Sequence, residues 1–414
     1  MADRYITKTI AFFLIIFLGW VSFVPEPWQV KYGLQVKYAL FILLILSLYR
    51  HKFNFAAYFF EKSTLALWIY LFLISLNIPF AQDKKLALGF YTDFSLSIIL
   101  IFFLFKNEIA PNNIKKIFYA LYLCAAAVCL FGFLEIFTKT NIIYTKLLYN
   151  DYYERCIQQG RMMSTLIHPN ILGAYLVASL PLAHYFYKHG SSLNARRIKL
   201  FIFLLIITAL ILTFSRGTYI AILLTVTVWL ILKKEARWAF FLWALVLFFS
   251  FIFSFFSLHW EFRRLCLREF WVYITYGYHR LAQYSVTFSM LKAHPFVGIG
   301  LQHYRPLFNV YSSWRLPYEV MIPDSIYLMH LAETGLVGLS GFILLLLSFF
   351  KEIRLTYRRL SGDNKALFLA IILGFLGLLF NMAFFDGFLW RTPFYLFCIF
   401  AATAAGSRKA FLIK

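Results

Sequence analysis

Residues 198–232 read IKLFIFLLIITALILTFSRGTYIAILLTVTVWLIL. Two apolar runs, 198–214 and 217–232, meet at Ser215, Arg216 and Gly217. Each run approaches the roughly 20 mostly apolar residues needed to cross a bilayer. Backbone amides cannot stay unpaired in lipid, so such runs are expected to be helical. The stretch therefore reads as a tight hairpin of two membrane helices with a guanidinium at its tip. The pattern recurs along the chain. Candidate spans are 9–25, 34–49, 63–80, 86–105, 116–137, 168–187, 198–214, 217–232, 237–259, 325–350, 366–385 and 388–406. The second is the weakest, being short and flanked by Lys31 and Lys37. The expected fold is all-α, a polytopic membrane protein of about 12 transmembrane helices with one long polar loop, residues 260–323. The chain of 414 residues is 62% hydrophobic and only 14% charged, against about 25% charged in soluble proteins.

A net charge of +22 would suggest nucleic acid in a soluble chain. Here Lys and Arg gather in short segments between apolar runs: 1–8, 50–62, 106–115, 188–197, 233–236, 351–365 and 407–414. The positive-inside rule makes these cytoplasmic, with both termini inside, and removes the case for nucleic acid. Arg4 and Lys8 precede the first run and no small-residue cleavage site follows it, so that run reads as an uncleaved span. The opposite face then carries 26–33, 81–85, 138–167, the Arg216 hairpin, the long loop and the turn at Asp386.

None of the five cysteines has metal-ligand spacing, and no metal or cofactor is expected. Cys124, Cys129 and Cys398 sit in apolar runs as small core residues. Cys156 and Cys266 fall on the outer face, where they could pair or remain two thiols. No internal repeat is evident. That weighs against the main alternative, a twelve-span transporter or lipid flippase, which predicts pseudo-symmetric halves and charges at mid-membrane.

Four polar patches lie on the outer face. Arg216 could clamp a phosphate with its planar fork, or snorkel to lipid headgroups. Gly217 beside it would let the chain turn tightly or a ligand come close. Within the long loop, Arg263, Arg264, Arg268, Arg280, Arg305 and Arg315 face only Glu261, Glu269 and Glu319. Arg280 opens an amphipathic helix through Lys292, which His294-Pro295 ends; Gly298 and Gly300 then allow a turn. Asp324 stands where the loop becomes a helix, as its N-cap or as a carboxylate that accepts a proton from an attacking hydroxyl. Glu333 should face the protein interior or a watery cavity, and His330 reads as structural. Finally, Gly160-Arg161 and the turn His168-Pro169-Asn170, a capping sequence, lead into the span 168–187. Asp93 and Asp386 are further polar candidates near span ends, without evident partners.

Taken in order, these motifs resemble the O-antigen ligase and O-antigen polymerase superfamily. The matching elements are His168-Pro-Asn-x-x-Gly173, Phe214-Ser-Arg-Gly217, the Arg280 helix ending in His294-Pro-Phe-x-Gly-Ile-Gly300, and Asp324-Ser-x-Tyr-Leu followed by Glu333-x-Gly335-Leu-x-Gly338. The resemblance covers roughly residues 160–345. It implies the fold of integral-membrane glycosyltransferases of the C-like type and a metal-independent, inverting transfer at the periplasmic face of the bacterial inner membrane. The implied donor is a glycan on undecaprenyl diphosphate. The implied acceptor is a lipid A–core sugar or another lipid-linked repeat, in lipopolysaccharide or surface polysaccharide biosynthesis. It further implies that Arg216 and Arg280 engage the diphosphate. Asp324 stands where ligases carry a His eleven residues before a Gly; Gly335 is present and the His is not, which leaves ligase and polymerase both open. The expected site is thus Asp324, Arg216 and Arg280 as catalytic groups, with Arg161, Arg305, Glu333 and His294 as substrate-binding groups. The expected organisation is N-terminal helices over 1–159, a ligase/polymerase-like core over 160–350 and C-terminal helices over 351–414.

Overall fold

The computed structural model describes residues 2–108, 111–140, 156, 159–189, 192–257, 279–313 and 321–412. Those residues are nearly all helical. The long helices are α1 (Ala2–Phe23), α2 (Gly33–Arg50), α3 (Leu65–Ser75), α4 (Lys84–Glu108), α5 (Pro111–Thr138), α6 (Pro169–Lys188), α7 (Leu193–Leu212), α8 (Arg216–Leu232), α9 (Ala236–Ser257), α10 (residues 279–293), α11 (Ile326–Arg359), α12 (Gly362–Asn381) and α13 (Arg391–Leu412). A helix coincides with every predicted span. By length and hydropathy, six of the described helices can cross a membrane: α1, α2, α4, α5, α11 and α12. The second span, weak in sequence, is among them.

Helix ends follow local chemistry. His168 accepts from Asn170 N at the start of α6, where Pro169 occupies the first turn and has no amide to satisfy. Ser192 Oγ accepts from Ala195 N at the start of α7. The third span is shorter than its apolar run. It stops at Ser75, and Asn77 and a 3₁₀ turn over Ile78–Phe80 follow.

At the centre, α6, α12 and α13 are buried along most of their length. Lipid tails do not drive helices together as water does, so close packing through small residues matters more in a bilayer. A Cβ at Gly374 of α12 would lie 2.4 Å from Ala178 O of α6. The outer helices keep apolar residues exposed, such as Phe12 on α1 and Phe240 on α9, as a lipid-facing surface requires.

Polar residues collect at the two ends. At one end the segments predicted to share a side pair with each other. Arg50 meets Glu108 at 3.1 Å, Lys106 meets Glu61 at 2.9 Å, Arg408 meets Glu352 at 2.8 Å and Lys115 meets Asp363 at 3.0 Å. Lys409 also pairs with Glu61. The other end carries the predicted outer-face motifs.

Candidate functional site

The long polar segment is helical over much of its described length. Helix α10 runs over residues 279–293, as its amphipathic pattern predicts, with Ala282, Val286 and Met290 buried. Arg280 lies at its start, and Arg280 Nε approaches Asp324 Oδ2 to 3.6 Å. Gln283, one turn along, ties this junction together: its Oε1 accepts from Asp324 N at 3.4 Å, and its carbonyl accepts from the Tyr304 hydroxyl at 2.8 Å. Asp324 is not the N-cap of α11. Ser325 occupies that position, without a side-chain capping bond, so the Asp324 carboxylate is left to face Arg280. Both side chains are half-exposed, at 39% and 44%. Burial raises the carboxyl of Asp324 above its ordinary range, and the facing Arg280 offsets only part of that rise.

Asp386 completes the group. It lies in the turn between α12 and α13, is 6% exposed, and accepts from Trp390 Nε1 at 3.4 Å. Burial, reinforced by the charge of Asp324, pushes its carboxyl up to about 7, while Arg305 acts in the opposite sense. Arg280, Arg305, Asp324 and Asp386 thus form one electrostatic cluster of two guanidinium and two carboxyl groups. Ile326 N donates to Met382 O at 3.0 Å and ties the start of α11 to this turn.

The Arg216 hairpin packs on the same turn. The reversal there falls at Phe214, with φ of 48°, and Gly217 is already in helix α8. Gly217 therefore does not make the turn. It admits a close approach of protein, since a Cβ there would lie 2.6 Å from Phe384 Cβ, two residues before Asp386. Asn381 Nδ2 donates to Thr218 Oγ1 at 3.1 Å, a second link. Arg161 reaches the hairpin from the other side, with Nε donating to Thr213 O at 3.3 Å. His168 stacks on Phe385 and meets Trp390 at a tilt, with ring centroids 6.0 Å apart in each pair.

Glu333 and His294 have other settings. Inside α11 the chain breaks at Gly335, with φ of 64° and ψ of −165°. The freed groups pair with the segment after α10. Ile299 N and Gly300 N donate to Ala332 O and Glu333 O at 3.0 and 3.1 Å, while Leu336 N and Val337 N donate to Pro295 O and Phe296 O at 2.9 and 3.0 Å. Asn77 Nδ2 also donates to Glu333 O, at 2.8 Å, and its Oδ1 accepts from Leu301 N at 2.8 Å. The Glu333 carboxylate, 3% exposed, accepts from Tyr304 N at 3.1 Å. It anchors the segment that bears Arg305 and lines a small cavity of about 30 Å³ with Tyr70 and His330. His330, read from sequence as structural, is buried and pairs with the Tyr70 hydroxyl at 2.7 Å and with Ile326 O. His294 ends α10, about 20 Å along the helix from Arg280 at 1.5 Å per residue, so it is not brought to the Arg280–Asp324 pair.

Sequence reasoning passed over Gln283, Asn77 and Trp390, and left Asp386 and Asp93 without partners. Asp93 pairs with Lys37 and with Arg391, at 2.6 Å in the latter case. Arg263, Arg264, Arg268, Arg315, Glu261, Glu269, Glu319 and the proposed Cys156–Cys266 pairing, through Cys266, lie outside the described residues. Among the described residues no group of three or more His, Cys, Asp or Glu is placed to hold a metal ion.

Fold and site together define a multi-pass helical membrane protein with an arginine–carboxylate cluster at one end. Residues 201–343 match the family model described as O-antigen ligase. The match covers about a third of the chain and supports a likeness to the O-antigen ligase and polymerase superfamily over that stretch. The matched stretch contains Arg216, Arg280, Arg305, Asp324 and Glu333; Arg161 and Asp386 fall outside it. Comparison with curated proteins finds no significant match.

Proposed function

We propose that this protein is an inner-membrane glycosyltransferase. It moves a glycan from undecaprenyl diphosphate to an acceptor hydroxyl at the periplasmic face, the acceptor being a lipid A–core sugar or a second lipid-linked repeat. The observation that carries the reading is the approach of Arg280 to Asp324, within reach of Asp386 and at the end that bears the Arg216 hairpin. The O-antigen ligase match over residues 201–343 supports it.

In this reading the acceptor oxygen attacks the anomeric carbon from the side opposite the diphosphate. The new C–O bond forms as the bond to the phosphate oxygen breaks. The electron pair leaves with undecaprenyl diphosphate, and the anomeric configuration inverts. Arg216 and Arg280 hold the diphosphate and offset the negative charge that grows on it. Asp324, as its carboxylate, takes the hydroxyl proton. Arg280 serves both events, because its charge opposes the rise that burial imposes on the Asp324 carboxyl. Arg161 and Arg305 extend the cationic lining from the two sides.

The test uses purified protein, undecaprenyl diphosphate-linked glycan and each acceptor in turn. Arg216→Ala and Arg280→Ala are expected to lower transfer by about 100-fold or more, the usual effect of losing a donor that stabilises a developing anion. Undiminished transfer by either well-expressed variant would remove that arginine from the mechanism. Release of undecaprenyl diphosphate with neither acceptor modified would sink both transfer readings.

A further inference from the structure

Beyond its break at Gly335, helix α11 runs on to Arg359, past the roughly 20 residues that a crossing needs. Its surplus lies at the end remote from Asp324, and there one stripe of the helix changes character. Ile343, Leu344 and Leu347 are 46%, 44% and 59% exposed, as residues facing acyl chains are. Steps of four, three and four residues carry the same stripe from Leu347 to Lys351, Arg354 and Arg358. These three cations are exposed and line an open recess with Leu347, Phe350 and Leu355.

Three carboxylates at this end are engaged with other cations. Glu352 takes Arg408, Glu61 takes Lys106 and Lys409, and Asp363 takes Lys115. Among the described residues no carboxylate pairs with Lys351, Arg354 or Arg358. A stripe that is lipid-facing at Leu347 and cationic within one further turn matches one occupant in both parts. Its acyl chains lie along the leucines and its phosphate sits among the cations.

We propose that Lys351, Arg354 and Arg358, with Leu347 and Phe350, form a binding site for an anionic phospholipid. The shape of the ligand follows from the stripe. A free phosphate would use the cations alone, and an acidic protein segment would not need their continuity with the lipid-facing leucines.

The experiment is native mass spectrometry of the full-length protein in detergent with added phosphatidylglycerol or phosphatidylcholine. Wild type is expected to retain phosphatidylglycerol in preference. Lys351→Gln/Arg354→Gln/Arg358→Gln is expected to lose affinity by about tenfold or more, given how strongly each cation near an anionic surface contributes. The control, Lys233→Gln/Lys234→Gln/Arg237→Gln, removes the same charge from exposed positions in the turn between α8 and α9 and at the start of α9. Equal retention by the α11 variant and wild type would overturn the site, as would an equal loss in the control. Glycerol phosphate at equal concentration displacing the lipid would overturn the acyl part. All positions changed are exposed, and an unchanged elution volume and melting temperature verify the fold of each variant.

Discussion

Asp324 and Asp386 show how one neighbourhood gives two carboxyl groups different work. Arg280 stands beside Asp324 and opposes the effect of burial. Asp386 is more deeply enclosed, and its value near 7 exceeds its ordinary 3.8. The folded chain therefore holds that proton more tightly than the unfolded chain does. The resulting stabilisation is complete below about pH 4 and is lost as pH rises through about 7. Asp386→Asn keeps the neutral form throughout and should lose this slope. The fall in melting temperature between pH 5 and pH 8 is accordingly expected to be smaller in the variant than in wild type. Equal falls would show that Asp386 does not titrate in this range. Asp324→Asn tests the other group: it retains the size and loses the base, so transfer should drop with donor binding preserved. Loss of donor binding instead would assign Asp324 to positioning.

At the scale of elements, the break in α11 and the segment after α10 are one device. Gly335 adopts a backbone conformation that is nearly confined to glycine. A Cβ there would lie 2.4 Å from Phe296 O, and a Cβ at Gly298 would lie 2.4 Å from Glu333 O. Four backbone hydrogen bonds cross the junction, and Asn77 adds its amide. The junction fixes where the short helix Tyr304–Tyr311, which bears Arg305, begins. Gly335→Ala is expected to cost about 1–3 kcal/mol from the backbone alone, and the steric overlap adds to that. A lowered melting temperature in detergent would register it. Gly89→Ala, with nothing near its Cβ, should be neutral or stabilising. If both variants melt alike, the junction is not under the constraint described.

The whole molecule is held by charge at the end away from the site. Lys106 is fully buried and faces Glu61, which also takes Lys409 near the end of α13. Removing one member of a buried pair strands the other, at a cost of about 3–5 kcal/mol. Glu61→Ala should therefore destabilise the protein markedly in a detergent melt. Glu61→Leu combined with Lys106→Met should recover much of the loss, because apolar partners need no compensation. A double variant no more stable than Glu61→Ala would point to Lys409 as the important partner.

The apolar runs determined the helices, since length and hydropathy act locally and lipid admits little else. Charge at the run ends likewise determined which segments gather, and the ion pairs among them follow that grouping. Arg216 and Arg280, the arginines expected at the site, stand out in the sequence at the ends of apolar or amphipathic runs. Pairing was not legible. Asp386 joins Asp324, Asn77 joins Glu333 and Gly217 meets Phe384 only because distant turns are packed together. A single residue's local spacing carries no record of such contacts. Tertiary structure alone made Glu333 an anchor, left His294 at the far end of its helix and gave Asp324 its facing guanidinium. The reason is physical: periodicity sets which side of a helix a residue occupies, and packing sets what it meets there.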